Sequence, residues 1–252
     1  MIEFSSEQTP NLVALNPAEH RELRILQDKI EQHAAAQHLV PAMFSEYVRL
    51  AVCYPIVISK NEQTGQFATS VLLGLEKNEN LFWQDKQWQA VYVPMQVRRQ
   101  PFFVGQEPSV DEPGKTKYVL CIDENSPALS FEQGEALFDE NGEQTEVFKQ
   151  SYQVISDILK DEPVTQDFVQ SLVELDLIEP MSLDIVLDNQ QKLQVNGLYT
   201  ISNERLSMLK ANELAMLNDK GYLGACFAIA HSVAQIYALI QKKNQSIADN
   251  LG

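Results

Sequence analysis

Two adjacent arginines, Arg98 and Arg99, stand between the apolar runs Val91-Tyr92-Val93-Pro94-Met95 and Pro101-Phe102-Phe103-Val104. The chain carries 19 Lys and Arg against 35 Asp and Glu. Paired guanidinium groups in such apolar surroundings need an acidic neighbour or an anionic ligand, and their planar fork suits a carboxylate or a phosphate. Read as an extended segment, the stretch points successive side chains to opposite faces, so at most one of the two arginines faces the core. Arg99 shares its face with apolar Val97 and is the expected inward residue. An unpaired buried guanidinium is costly, so the candidate acidic partners are Asp123, Glu124 and Glu46.

Other chemistry is scarce. There is no GxGxxG, no P-loop, no HExxH and no GxSxG, so no cofactor is expected. His33 and His38 are five apart and do not share a helix face, which argues against a metal held by that pair. His231 in an apolar helix reads as a satisfied core histidine. Cys121 lies beside Asp123, whose charge raises a thiol pKa, the wrong direction for a nucleophile. Cys53, Cys121 and Cys226 are far apart in apolar surroundings and read as free buried thiols, neither a disulfide framework nor a metal site.

With 252 residues and 44% hydrophobic content, the chain can bury a sizeable core. A formal charge of −16 argues against nucleic acid and anionic membrane surfaces as partners and favours a basic or neutral protein or peptide. The start, Met1 to Ser6, has neither a basic n-region nor an apolar h-region, so a cytoplasmic location is expected. Tyr222 to Ile240 carries no charged side chain, yet it contains His231, Ser232 and Gln235. Exposing these to lipid is unfavourable, so the segment reads as a buried closing helix and not a membrane span.

These residues must be positioned by an α+β fold. Asn16-Pro17-Ala18-Glu19 signals a helix start with Leu23, Leu26 and Ile30 inward, and a second helix is expected from Ala42 to Val52. Ile56 to Ile58 and Phe67 to Leu73 read as a hairpin. Trp88 to Val93, Phe102 to Val104 and Tyr118 to Ile122 read as further strands, with a mobile surface loop over Gly105 to Lys117. Strands so closely spaced, with no crossover helix between them, form an antiparallel sheet with flanking helices. From Tyr118 to Phe148 there are acidic side chains and no Lys or Arg, with a turn at Asp139-Glu140-Asn141-Gly142; this is a solvated acidic surface or a dock for a basic partner. A mainly helical part follows. One helix carries Phe148, Tyr152, Ile155 and Leu159; after Pro163 a second carries Phe168, Leu172 and Leu175. A hairpin comes next, then a short helix capped by Asn203, another ended by Gly221, and the apolar closing helix. Residues 1–142 thus form an α+β sheet part and residues 143–252 a helical part with a hairpin, packed together as one unit.

Across nearly the whole chain the residues resemble one bacterial family. His38-Leu-Val-Pro41, Glu46, Tyr54-Pro55-Ile56-Val57, Leu72-Leu73-Gly74-Leu75, Tyr92-Val-Pro94, Val97-Arg98-Arg99 with Pro101-Phe102, Leu120-Cys121-Ile122-Asp123-Glu124, Leu177-Ile178-Glu179-Pro180 and Gly197-Leu198-Tyr199 are similar in order to the SapC family. At Gln100 that pattern more often has an aromatic. The family is named for an association with surface-layer protein secretion, and is unrelated to the peptide-transporter permease of the same name. Its genes commonly sit beside flavin-dependent halogenase-like enzymes, cupin-like oxygenases and outer-membrane receptors. The resemblance brings no established catalytic residue set. His38 and Tyr92, which lie in these motifs, join Arg98, Arg99, Glu46, Asp123 and Glu124 as candidate binding residues.

Two functions follow as expectations. One is a non-catalytic accessory or binding protein of a peptide- or protein-modifying or export system. The other is an enzyme acting on an anionic small molecule or peptide through an arginine and carboxylate site.

Overall fold

A computed structural model of the chain describes residues 10–108 and 116–249. The start read above, Met1 to Ser6, and most of the loop expected after Gly105 lie outside the described residues. In chain order, strands β1 (Leu12–Ala14) and β2 (Arg24–Ile25) precede helix α1 (Gln27–Ile30), which tightens into a 3-10 turn over Glu31–Ala34. Strand β3 (Leu39–Pro41) leads to a 3-10 turn over Phe44–Glu46 and then to α2 (Tyr47–Leu50). Next come β4 (Ile56–Lys60), β5 (Phe67–Leu72), β6 (Trp83–Gln84), β7 (Gln87–Trp88), α3 (Met95–Arg98), β8 (Phe102–Pro108), β9 (Thr116–Asp123), β10 (Leu129–Ser130) and β11 (Glu135–Ala136). The long helix α4 (Glu146–Glu174), the hairpin β12 (Ile178–Val186) with β13 (Lys192–Ile201), and helices α5 (Asn203–Ser207), α6 (Ala211–Asp219), α7 (Tyr222–Ser232) and α8 (Gln235–Asp249) complete the chain.

The fold is α+β with antiparallel sheets. Strands β12-β13-β4-β5-β3 form a five-stranded sheet, β1-β9-β8 a three-stranded one, and β2 sits between β10 and β11 in a third. The large sheet joins strands from both sides of residue 142, so the helical C-terminal part and the N-terminal part share one sheet. Its core holds Tyr47, Tyr54, Ile56, Ile58, Phe168 and Leu172. A second core gathers Leu23, Ile25, Phe102, Ile122, Leu137 and Phe148. Helix α4 contributes Phe148 and Ile155 to the second core and Phe168 and Leu172 to the first, which ties the two together.

Several elements differ from the sequence reading, each for a physical reason. Asn16 does start a turn, with Ala18 N–H donating to its Oδ1 at 3.0 Å. The chain then leaves the helix, because β2 is hydrogen-bonded on both edges and buries Ile25. The helix expected over Ala42–Val52 shrinks to the 3-10 turn and α2, since Ala42 N–H is taken by Thr69 O in the sheet. The strand expected over Trp88 to Val93 is confined to Gln87–Trp88, and the arginines sit on α3 and at its C-cap, not on a strand. Pairing of β8 with β9 runs out to Pro108↔Thr116, so the connection is shorter than expected. Helix α4 continues through Pro163, where two helices are expected from the sequence. Proline costs about 3 kcal/mol inside a helix; burial of both ends in two cores outweighs it. Ser202, not Asn203, caps α5, accepting from Arg205 N–H. The Asp139–Gly142 turn forms as expected, with Asp139 Oδ1 accepting from Asn141 and Glu143 N–H at 2.8 Å each.

The closing segment is two helices. By length and composition Tyr222–Asp249 could cross a membrane, with 39% of its apolar window buried. It packs on the large sheet and the turn after α2: Ser232 Oγ accepts from Ile56 N–H of β4 at 2.8 Å, and Gln235 Nε2 donates to Val52 O of that turn at 2.9 Å. His231 is exposed and stacks on Phe227, so it is not a core histidine.

Candidate functional site

The site grows from the 3-10 turn at Phe44–Glu46. Helix α4 fixes its entry: Phe44 N–H donates to Thr165 Oγ1 at 3.0 Å and Ser45 N–H to Asp161 Oδ2 at 2.9 Å, which satisfies donors that a helix start leaves open. Glu46 is then driven inward and is fully buried. Its Oε1 accepts from Met43 N–H at 3.0 Å, and its Oε2 accepts from Met95 N–H at 3.0 Å and from the Tyr92 hydroxyl at 3.1 Å. Burial pushes the Glu46 pKa up against these hydrogen bonds and the charge of Arg98. Tyr92 is pushed up to about 12 by burial and by Glu46.

Arg98 completes the group. Its Nη2 donates to the Tyr92 hydroxyl at 3.2 Å, and its guanidinium lies 5.3 Å from the Tyr92 ring centroid, with Arg49 at 4.9 Å from the same ring. The Arg98 Nε–H is buried without a hydrogen-bond partner. Among the described residues neither Arg98 nor Arg99 makes a salt bridge. The expected pairing of Arg99 with a carboxylate is therefore corrected. Arg99 is held by neutral acceptors, Gln96 Oε1 at 2.6 Å and Phe102 O at 2.8 Å, and lies 4.2 Å over the Phe103 ring. Desolvation lowers its pKa to about 10. On a helical turn the two side chains diverge by helix rotation, and Arg98 is the one directed to Glu46 through Tyr92.

Beside this group lies a cleft of about 240 Å³. Arg98, Val93 and Glu31 line one side, and Val147, Ser151 and Val154 line the other from α4. Those α4 positions recur at helical spacing, which puts them on one face. Burial raises the Glu31 pKa, and a backbone hydrogen bond from Trp88 works against that shift.

The remaining predicted residues lie elsewhere. Asp123 Oδ1 accepts from Asn11 N–H at 2.8 Å and Glu124 Oε2 from Asn11 Nδ2 at 2.9 Å, so both tie down the segment leading into β1. His38 is half-buried, with burial and Lys77 lowering its pKa against Glu79, and its carbonyl accepts from Leu73 N–H at 2.8 Å. The structure thus joins Glu46, Tyr92 and Arg98 and leaves His38, Arg99, Asp123 and Glu124 out of the cleft lining. Glu31, Arg49 and Ser151 were missed, since no motif or periodicity relates them to Arg98. Among the described residues no three His, Cys, Asp or Glu side chains gather as a metal site.

A family model described as SapC matches residues 15–239 of the chain. No curated protein and no solved structure matches it.

Proposed function

We propose, for a chain that belongs to the SapC family, that it is a soluble cytoplasmic accessory or binding protein of a peptide- or protein-modifying or export system, and that its Arg98 cleft takes an anionic group. The observation that carries this reading is the contrast between two buried groups. The Arg98 Nε–H has no partner, whereas the nearby carboxylate of Glu46 has both oxygens engaged. A buried donor left unpaired costs about 1–3 kcal/mol, a cost that an anion placed against it removes. A carboxylate held by two backbone N–H groups and a phenol is poorly disposed to act as nucleophile or base. The exposed acidic run around Glu132, Glu135, Glu140 and Glu143 supports a basic partner.

The enzyme alternative requires Glu46 to reach a substrate from full burial. The test is affinity purification of the tagged protein from its native host, comparing the wild type with Arg98→Ala under identical conditions. A stoichiometric partner or ligand that the variant loses supports the reading. Identical recovery with both, or turnover of a bound small molecule that depends on Glu46, overturns it.

A further inference from the structure

The cleft places charge of both signs on the side formed by the segments at 27–31 and 93–98. Arg98 brings a guanidinium whose Nε–H is unpartnered, and Glu31 brings a carboxylate. The two line the same cleft yet make no salt bridge with each other, and Glu31 makes none with any described residue. Between these charges and α4 the lining mixes aliphatic Ile30, Val93, Val147 and Val154 with polar Gln27, Gln150 and Ser151. Opposite charges held apart in a partly desolvated cleft are unfavourable unless something bridges them. A cleft of about 240 Å³ is smaller than the roughly 300–1,000 Å³ typical of drug-sized ligands.

We propose that this cleft binds a free α-amino acid with an aliphatic side chain, its carboxylate on Arg98, its ammonium on Glu31 and its side chain against the valines of α4. The inference rests on reading Arg98 as the anion site. A guanidinium binds a carboxylate through parallel N–H donors, and the Arg98 Nε–H beside the cleft has no other partner. The half-buried Glu31 carboxyl, whose pKa burial raises, gains from a cation placed beside it. Both charges of the ligand are thereby matched, and Val147 and Val154 offer its side chain apolar contact.

Titration calorimetry of the full chain with L-leucine, N-acetyl-L-leucine, L-leucinamide and the dipeptide Gly-Leu tests this. L-Leucine is expected to bind, and each derivative lacking one charge is expected to bind roughly 10- to 100-fold more weakly, the loss of one charge-assisted contact. Glu31→Gln, which preserves shape, is expected to weaken L-leucine to the level of N-acetyl-L-leucine. Arg98→Lys and Arg98→Ala are expected to abolish detectable binding, with far-ultraviolet dichroism and melting curves verifying that each variant is folded. If N-acetyl-L-leucine or Gly-Leu binds as tightly as L-leucine in an Arg98-dependent way, the amino-acid inference fails while the anion site stands. If no probe binds, or binding ignores Arg98, both readings fail.

Discussion

The Tyr92 hydroxyl lies 3.1 Å from Glu46 Oε2 and 3.2 Å from Arg98 Nη2, so one phenol connects a fully buried carboxylate to an arginine that makes no salt bridge among the described residues. A direct ion pair would neutralise Arg98; a phenol passes on only part of the negative charge and leaves the guanidinium able to take an anion. Tyr92→Phe removes both hydrogen bonds and keeps the ring under Arg49 and Arg98. The expected cost is about 1–2 kcal/mol in urea unfolding, and no loss would show that the phenol does not support Glu46.

The two arginines differ in what they support. Arg99 covers Phe102 O and the Phe103 ring, so Arg99→Ala exposes a ring and strips an acceptor of its donor. Its expected cost is about 1–3 kcal/mol. Arg98→Ala removes a guanidinium with an unmatched Nε–H and is expected to cost at most about 1 kcal/mol. Melting curves that reverse this order would contradict the assignment of Arg98 to ligand and Arg99 to structure.

Strands β4, β5, β8, β9, β12 and β13 were legible because their signal is local, whereas β1, β2, β3, β10 and β11 were not expected. Alternation over Phe67–Leu72, and the returning apolar positions Leu183, Ile185, Leu193 and Val195, mark strands whichever neighbours they meet. The segment 91–99 was misread because Val91, Tyr92 and Val93 have strand-like side chains, while Pro94 in fact stands at the N-cap of α3. The path of α4 through Pro163 depends on two cores that no local window contains. Of the candidate site, Glu46, Tyr92 and Arg98 could be named individually. Their linkage and the facing Glu31 could not, because they come together from distant segments through tertiary packing.

Lys243 on α8 donates to Glu76 and to Glu79 Oε1, and its side chain is 11% exposed against 18% for Glu79. Burial lowers the Lys243 pKa, but the hydrogen bonds and charges of the two glutamates outweigh it and raise the pKa overall. The stabilisation is therefore complete below the ordinary value of 10.5 and fades only as pH rises through the higher folded value. Lys243→Met is expected to cost about 2–4 kcal/mol by leaving Glu79 unpaired. That cost should be constant from neutral pH to about pH 9. A cost that vanishes within that range would show the pair to be dispensable.

Pro163 lies inside α4, where it lacks the N–H that would donate to Leu159 O. Pro163→Ala restores that donor and leaves the caps from Asp161 and Thr165 in place. A gain of about 1–2 kcal/mol is expected after allowing for the greater freedom of the unfolded chain. A loss of stability would mean that the proline itself helps seat the helix on both cores.

The sharpest test concerns the pH dependence contributed by Glu46. Its pKa in the folded protein is raised above the ordinary 4.5, chiefly by burial, so the folded state binds the proton more tightly than the unfolded chain does. The stability contributed by this group is therefore present below pH 4.5 and is lost as pH rises toward the folded value, after which it levels off. When protonated, the carboxyl can donate to the Tyr92 hydroxyl while its oxygens still accept from Met43 and Met95 N–H, so both backbone donors stay matched. In Glu46→Gln the amide nitrogen cannot accept, and one of those backbone N–H groups loses its partner at every pH, at a cost of about 1–3 kcal/mol. The gap between wild type and variant should consequently be widest in acid and narrow as pH rises. Urea unfolding of both proteins from about pH 4 to pH 8 reads it directly, because shifts at all other groups cancel in the difference. A gap that stays constant would mean that Glu46 does not titrate above the ordinary carboxylate range, and a gap that widens with pH would mean that its hydrogen bonds outweigh its burial.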